Sequence, residues 1–236
     1  MFAAVKSAVG APVARQDRRR PHLPCADYAS SYPFHPCTKK RMKMFENMSW
    51  LNEPASWKVG RDSLALETAG STDFWRETHY GFIRDTGHFF STEVTGDFMA
   101  TATFSGDFTT LYDQAGLMLR TDERTWLKTG VEYSDGALQL STVITDGTSD
   151  WSLRPLGTGR DEITLRLTRQ ATAVHVQYLE RGGTDGQQWS SLRLGYLPLE
   201  SRCKVGLMAC SPERGGLNVR FTDFSIAPSD GINLHP

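Results

Sequence analysis

The amino-acid sequence predicts an all-β protein, a sandwich of antiparallel strands, and three observations carry that prediction. From Phe45 onward, apolar and polar residues alternate with a period of two in one short run after another. Turn signals rich in Gly, Asp and Ser separate these runs at a spacing of roughly 8 to 12 residues, as a two-sheet fold requires. No stretch holds the 3.6-residue period of an amphipathic helix.

The strands follow in order. Phe98, Ala100, Ala102 and Phe104 alternate with Met99, Thr101 and Thr103 between Gly96-Asp97 and Gly106-Asp107, which gives one apolar face. Ala115, Leu117 and Leu119 alternate with Gln114, Gly116, Met118 and Arg120. Leu127, Val131 and Tyr133 then share one parity, and Trp126, Lys128, Gly130 and Glu132 the other. Leu138, Leu140, Thr142 and Ile144 come next, after Ser134-Asp135-Gly136-Ala137. Asp-Gly is the strongest short hairpin signal, so these two runs are predicted to pair antiparallel. Ile163, Leu165 and Leu167 form a further strand, as do Val174, Val176 and Tyr178, before a polar loop at Arg181–Gly186. Val205, Leu207 and Ala209, then Leu217, Val219 and Phe221, complete the series.

The chain has 236 residues, 39% of them hydrophobic, enough for one large β domain with an appendage. Three segments are expected: a disordered basic extension at 1–43, the sandwich at 44–228 and a short tail at 229–236. The net charge of -1 conceals an asymmetry, because nine Lys/Arg and two acids fall within residues 1–43. That segment carries +7 and the remainder about -8. An acidic body argues against a nucleic-acid groove, which draws on clustered cations. No apolar run reaches the roughly 18 to 20 residues that cross a bilayer, so no membrane partner is expected.

Five of the eleven prolines lie in residues 1–43, with no sustained apolar period, so ordering that segment would not be offset by burial. Its acid-poor start, ending in Arg18-Arg19-Arg20, has some character of a mitochondrial presequence; as a secretory signal it is poor, since Lys6 and Pro12 interrupt the apolar core. An unstructured extension, or an upstream extension of a gene whose start lies near Met42 or Met44, is the preferred reading. A cytoplasmic location is expected, with the mitochondrion as the alternative.

Of four cysteines, Cys25 and Cys37 lie in the extension, while Cys203 and Cys210 flank one strand seven positions apart. An odd separation puts them on opposite faces, so free thiols in a reducing compartment are expected. No zinc spacing, nucleophile elbow, phosphate loop or H-E-x-x-H occurs, and neither a cofactor nor a metal is expected. Asp146-Gly147-Thr148-Ser149-Asp150 supplies oxygens for calcium but reads as ordinary turn chemistry.

The densest gathering of functional side chains is Asp73 to Phe89, which collects Trp75, Tyr80, two histidines and several carboxylates. Asp73-Phe74-Trp75, Tyr80-Gly81-Phe82 and Gly87-His88 resemble signature segments of the DUF1349 proteins. So do Tyr112-Asp113-Gln114-Ala115-Gly116-Leu117, Trp126–Tyr133, Ser149-Asp150-Trp151-Ser152 and Ala209-Cys210-Ser211-Pro212-Glu213. These run in family order from about Phe45 to Ala227, in a group that includes the fungal "regulation of enolase" proteins. The resemblance implies a concanavalin A-like β-sandwich (jelly roll) of the lectin and glucanase type. It implies no settled chemistry.

If the apolar parity faces the interior, the other parity shares a concave outer surface, where relatives in that architecture hold sugars. The candidate binding residues are Asp73, Trp75, Tyr80, His88, Asp113, Gln114, Lys128 and Glu132. Aromatic faces would stack on a carbohydrate or small polar ligand while the polar groups took its hydroxyls. On such a surface Lys128→Ala and Glu132→Ala would leave the thermal midpoint nearly unchanged. Strand-spaced carboxylates of the sandwich glucanases, E-x-D-x-E or E-x-D-x-x-E, do not occur, so no catalytic residue is assigned. A non-catalytic intracellular binding protein is favoured, with a small polar ligand or a protein partner such as enolase. A lectin-like module or a glycoside hydrolase is the alternative.

Overall fold

The computed structural model describes residues 45–157, 159, 162–180, 188–229, 231, 232 and 234. The 1–43 extension with Cys25 and Cys37, and the loop expected at Arg181–Gly186, lie outside the described residues. Among the described residues sixteen strands follow one another: β1 (Ser49–Leu51), β2 (Ser56–Val59), β3 (Ser63–Glu67), β4 (Phe74–Arg76), β5 (Ile83–Asp85), β6 (His88–Thr95), β7 (Phe98–Gly106) and β8 (Gln114–Arg120) in the first half. The second half holds β9 (Thr125–Ser134), β10 (Ala137–Asp146), β11 (Thr148–Pro155), β12 (Ile163–Gln170), β13 (Ala173–Glu180), β14 (Gln188–Tyr196), β15 (Arg202–Cys210) and β16 (Asn218–Pro228).

Two seven-stranded antiparallel sheets result, in the orders β1-β6-β15-β8-β9-β10-β11 and β14-β13-β12-β7-β16-β3-β2. The core between them takes the predicted apolar parity: Phe98, Ala100, Ala102 and Phe104 from β7, Leu117 and Leu119 from β8, Leu165 and Leu167 from β12, Val205 and Leu207 from β15. Asp-Gly closes the β9–β10 hairpin, with Ser134 opposite Ala137. Asp135 and Gly136 stand at φ of 54° and 76°, the left-handed pair that a two-residue turn matched to strand twist needs.

A second apolar cluster lies on the other face of the first sheet, where Phe74, Phe89, Met118, Trp126, Met208 and Cys210 meet. The small β4–β5 hairpin, in neither large sheet, covers it. Every residue of β8 is consequently buried, although its sequence alternates. Cys203 belongs to the inter-sheet core and Cys210 to this outer cluster, and both are free thiols on opposite faces of β15.

Candidate functional site

β8 and β9 build the floor. Their register sets Gln114 opposite Glu132, Gly116 opposite Gly130 and Met118 opposite Lys128, all on the outer face. A Cβ on Gly130 would lie 1.9 Å from the Ala115 carbonyl oxygen, so only glycine permits so close an approach of the two backbones there.

The β4–β5 hairpin supplies one wall and is held at three points. Arg120 makes a two-pronged ion pair with Asp85 at 2.6 and 2.8 Å. Arg76 donates its backbone N–H to Ser149 Oγ at 2.9 Å and its Nε–H to the Gly147 carbonyl at 3.0 Å. A guanidinium therefore takes a carbonyl of the Asp146–Asp150 turn that the sequence offered to calcium. Among the described residues no group of three or more His, Cys, Asp or Glu could hold a metal. Beyond Arg76 the chain turns tightly, with Glu77, His79 and Gly81 at φ of 60°, 62° and 70°. That turn projects Tyr80.

Between hairpin and sheet lies a cavity of about 160 Å³, lined by Asp73, Trp75, Tyr80, Gln114, Lys128 and Glu132 together with Phe82, Tyr112, Val143, Trp151, Pro212 and Glu213. Six of the eight candidate residues thus meet around one space. His88 and Asp113 do not line it. His88 donates Nδ1–H to the Asn52 carbonyl at 2.5 Å and accepts the Ala69 N–H on Nε2 at 3.0 Å, which ties two loops to β6. Burial lowers its pKa, and with both nitrogens engaged it is a neutral clamp rather than a ligand contact.

Asp113 sits wholly buried beneath the rim. It accepts Ser211 Oγ–H at 2.6 Å, Arg214 at 2.7 and 2.9 Å, and the amides of Thr109 and Thr110. Burial alone would raise its pKa, but these donors outweigh it and hold the carboxyl below the ordinary range. Its hydrogen-bonding capacity is spent on the fold.

At the floor, Lys128 Nζ pairs with Asp73 Oδ1 at 2.8 Å, and Gln114 Nε2 reaches the same oxygen at 3.4 Å. Burial opposes the charge on Lys128, yet Asp73 leads the opposing interactions and its pKa is raised. Glu132 accepts Ser141 Oγ–H at 2.8 Å, and Ser141 Oγ in turn accepts Trp151 Nε1–H at 3.1 Å. Burial pushes the Glu132 carboxyl above its usual pKa despite the neighbouring Lys128. Cys210 is fully buried, and desolvation pushes its thiol up, away from the reactive thiolate.

A raised acid pKa in the folded state means that stability falls as pH climbs from the ordinary carboxylate range through the raised value. Glu132→Gln keeps an acceptor for Ser141 without the charge. Thermal midpoints of the two proteins are therefore expected to coincide near about pH 4 and to separate in the variant's favour toward about pH 7.

Five aromatic residues line the cavity, and four of them form a circuit around this floor, with Phe82 stacked on Tyr80. Trp75 is near-perpendicular to Tyr80 (5.7 Å, 73°) and to Trp151 (6.3 Å, 88°), and Trp151 to Tyr112 (6.4 Å, 72°). The Tyr112 and Tyr80 hydroxyls close the circuit at 3.1 Å, and that bond is the leading reason the Tyr112 phenol is pushed up to about 12. Phe82, Tyr112, Trp151 and Glu213 were not among the candidate residues, although each lies in a segment that carries the family resemblance.

Two face-to-face antiparallel seven-stranded sheets, one of them covered on its outer face by a small hairpin, define a concanavalin A-like β-sandwich. The chain belongs to the family described as "Protein of unknown function (DUF1349)", which matches residues 50–229. It is 43% identical to Regulation of enolase protein 1 of Saccharomyces cerevisiae over 187 residues, 79% of this chain and 92% of that protein. A crystal structure of a functionally unknown protein from the same yeast superposes with a TM-score of 0.74 at 42% identity, covering 79% of this chain and 99% of that one. A Bacteroides ovatus protein, "Xyloglucan PUL GH43B", shares the fold alone, at 15% identity and TM-score 0.56 over 76% of this chain and 36% of that one.

Proposed function

We propose that this chain is a non-catalytic binding protein that takes a small polar ligand into the cavity between the β4–β5 hairpin and the first sheet, and that it acts in the cytoplasm as a regulator of carbon metabolism. The observation that carries this reading is the cavity itself: about 160 Å³, aromatic walls and a polar floor of Lys128, Asp73, Gln114 and Glu132. Pockets of this make-up, mostly apolar with a few convergent polar groups, are the usual form of a small-ligand site. The name of the yeast relative supports a regulatory role and makes enolase the first protein partner to examine. Two buried free thiols fit a reducing compartment.

Binding without turnover is favoured because the floor carboxylates are committed, Asp73 to Lys128 and Glu132 to Ser141. A thermal-shift screen of the full chain against sugars, sugar phosphates and glycolytic intermediates tests it. A ligand at 100 times its Kd adds about 2.7 kcal/mol to the native state. The expected result is a hit whose shift disappears in Glu132→Gln. Consumption of that hit would overturn the non-catalytic reading, and a flat screen with enolase retained in a pull-down would replace the small ligand by a protein partner.

A further inference from the structure

We propose that the cavity selects a ligand bearing a methylated ammonium group, held inside the ring of Trp75, Tyr80, Tyr112 and Trp151. This inference rests on the small-ligand reading of the same site and adds the charge and shape of what enters. Three successive ring pairs, Tyr80–Trp75, Trp75–Trp151 and Trp151–Tyr112, stand at 72° to 88° to one another, as the walls of a box would. Adjacent walls of a square box with centroids 6.3 Å apart lie about 4.5 Å from its centre, inside the roughly 6 Å over which an aromatic face attracts a cation. The Tyr80–Tyr112 hydroxyl bond closes the fourth corner.

The charges agree with the walls. Lys128 and Asp73 neutralise each other at 2.8 Å. Apart from the phenols of Tyr80 and Tyr112, Glu132 and Glu213 are the remaining ionisable side chains of the lining, and both are carboxylic acids. Glu132 is buried with a hydroxyl as its close partner, and Glu213 is exposed at the rim. A phosphate or carboxylate would meet these two acids without an unpaired cation, whereas an ammonium group would meet aromatic faces and carboxylates. Methylation suits the walls, because N-methyl groups carry the positive charge to ring faces without needing hydrogen-bond acceptors.

Calorimetric titration of the full chain with choline, with its neutral carbon isostere dimethylbutanol, with a trimethyllysine peptide, with a hexose and with a hexose phosphate tests the proposal. Choline or the peptide is expected to bind at least about tenfold more tightly than the isostere. The stronger of the two tells a free small molecule from a modified side chain. Trp151→Leu should remove that preference. Glu213→Gln, at an exposed position that leaves folding intact, should weaken the cation several-fold and leave the isostere unchanged. Equal affinity for choline and the isostere overturns the proposal, as does a preference for the hexose phosphate. Hexose binding without choline binding overturns the ammonium inference while the small-ligand reading stands; silence from all five probes overturns both.

Discussion

Lys128→Ala is expected to destabilise the protein by about 3 to 5 kcal/mol, the range for removing one partner of a buried ion pair. Lys128 is 4% exposed, and its ammonium group is the countercharge for Asp73 on a floor that also holds Glu132. Its loss leaves the Asp73 carboxylate, only 17% exposed, without its countercharge and opens a void beneath the aromatic walls. Chemical denaturation of the single variants and of the pair Asp73→Asn with Lys128→Met separates the two contributions. The double variant should recover much of the loss, because no charge is then stranded. An unchanged midpoint in Lys128→Ala would show that water reaches the pair freely. The sequence reading expected that neutral outcome, since it set Lys128 on an open surface. The β4–β5 hairpin instead covers that face, which is why a large loss is expected here.

The second large effect is expected at Asp113. Asp113→Ala removes the acceptor for Ser211, for both prongs of Arg214 and for the amides of Thr109 and Thr110, none of which gains a replacement. A loss of about 1 to 3 kcal/mol follows from leaving the buried Ser211 hydroxyl and the two amides without their acceptor, while the partly exposed Arg214 keeps the Asp107 carbonyl at 2.8 Å. The folded-state pKa of Asp113 is lowered, so its contribution is present above the ordinary carboxylate value and is lost as pH falls through the lowered one. The gap in unfolding free energy between wild type and Asp113→Asn should therefore be widest near neutrality and shrink in strong acid.

Much of the fold was legible because its signals are local. The alternating runs and the Asp-Gly turn are read within ten residues or so, and parity placed Gln114, Met118 and Arg120 beside Glu132, Lys128 and Trp126, which are cross-strand partners in the structure. The site was legible only as far as those strands reach. Whether His88 points into a cavity or clamps a loop is decided by Asn52 and Ala69, and the fate of Asp113 by Ser211 and Arg214 about a hundred residues away. Nothing in periodicity encodes such pairings. Tyr112 and Trp151 were passed over for the related reason that a wall is defined by what stands across from it. Parity also could not foresee a hairpin that makes both faces of β8 interior.

That hairpin has a consequence in time as well as in space. Tyr80 reaches Tyr112 from an exposed turn whose base is fastened by Arg76 and Arg120, while the floor belongs to the central strands of a seven-stranded sheet. Opening the ring thus requires the turn to swing and two side-chain bonds to break, Tyr80 to Tyr112 and Trp75 Nε1–H to the Thr78 carbonyl, and no strand of the sandwich need part. Amides of residues 77–82 are expected to exchange with solvent far sooner than those of β8 and β9, since segments with few buried contacts open at a fraction of the global free energy. The lifetime of a bound ligand and the lifetime of the folded chain would then be set by different residues, so that selection could quicken or slow release without touching the durability of the sandwich.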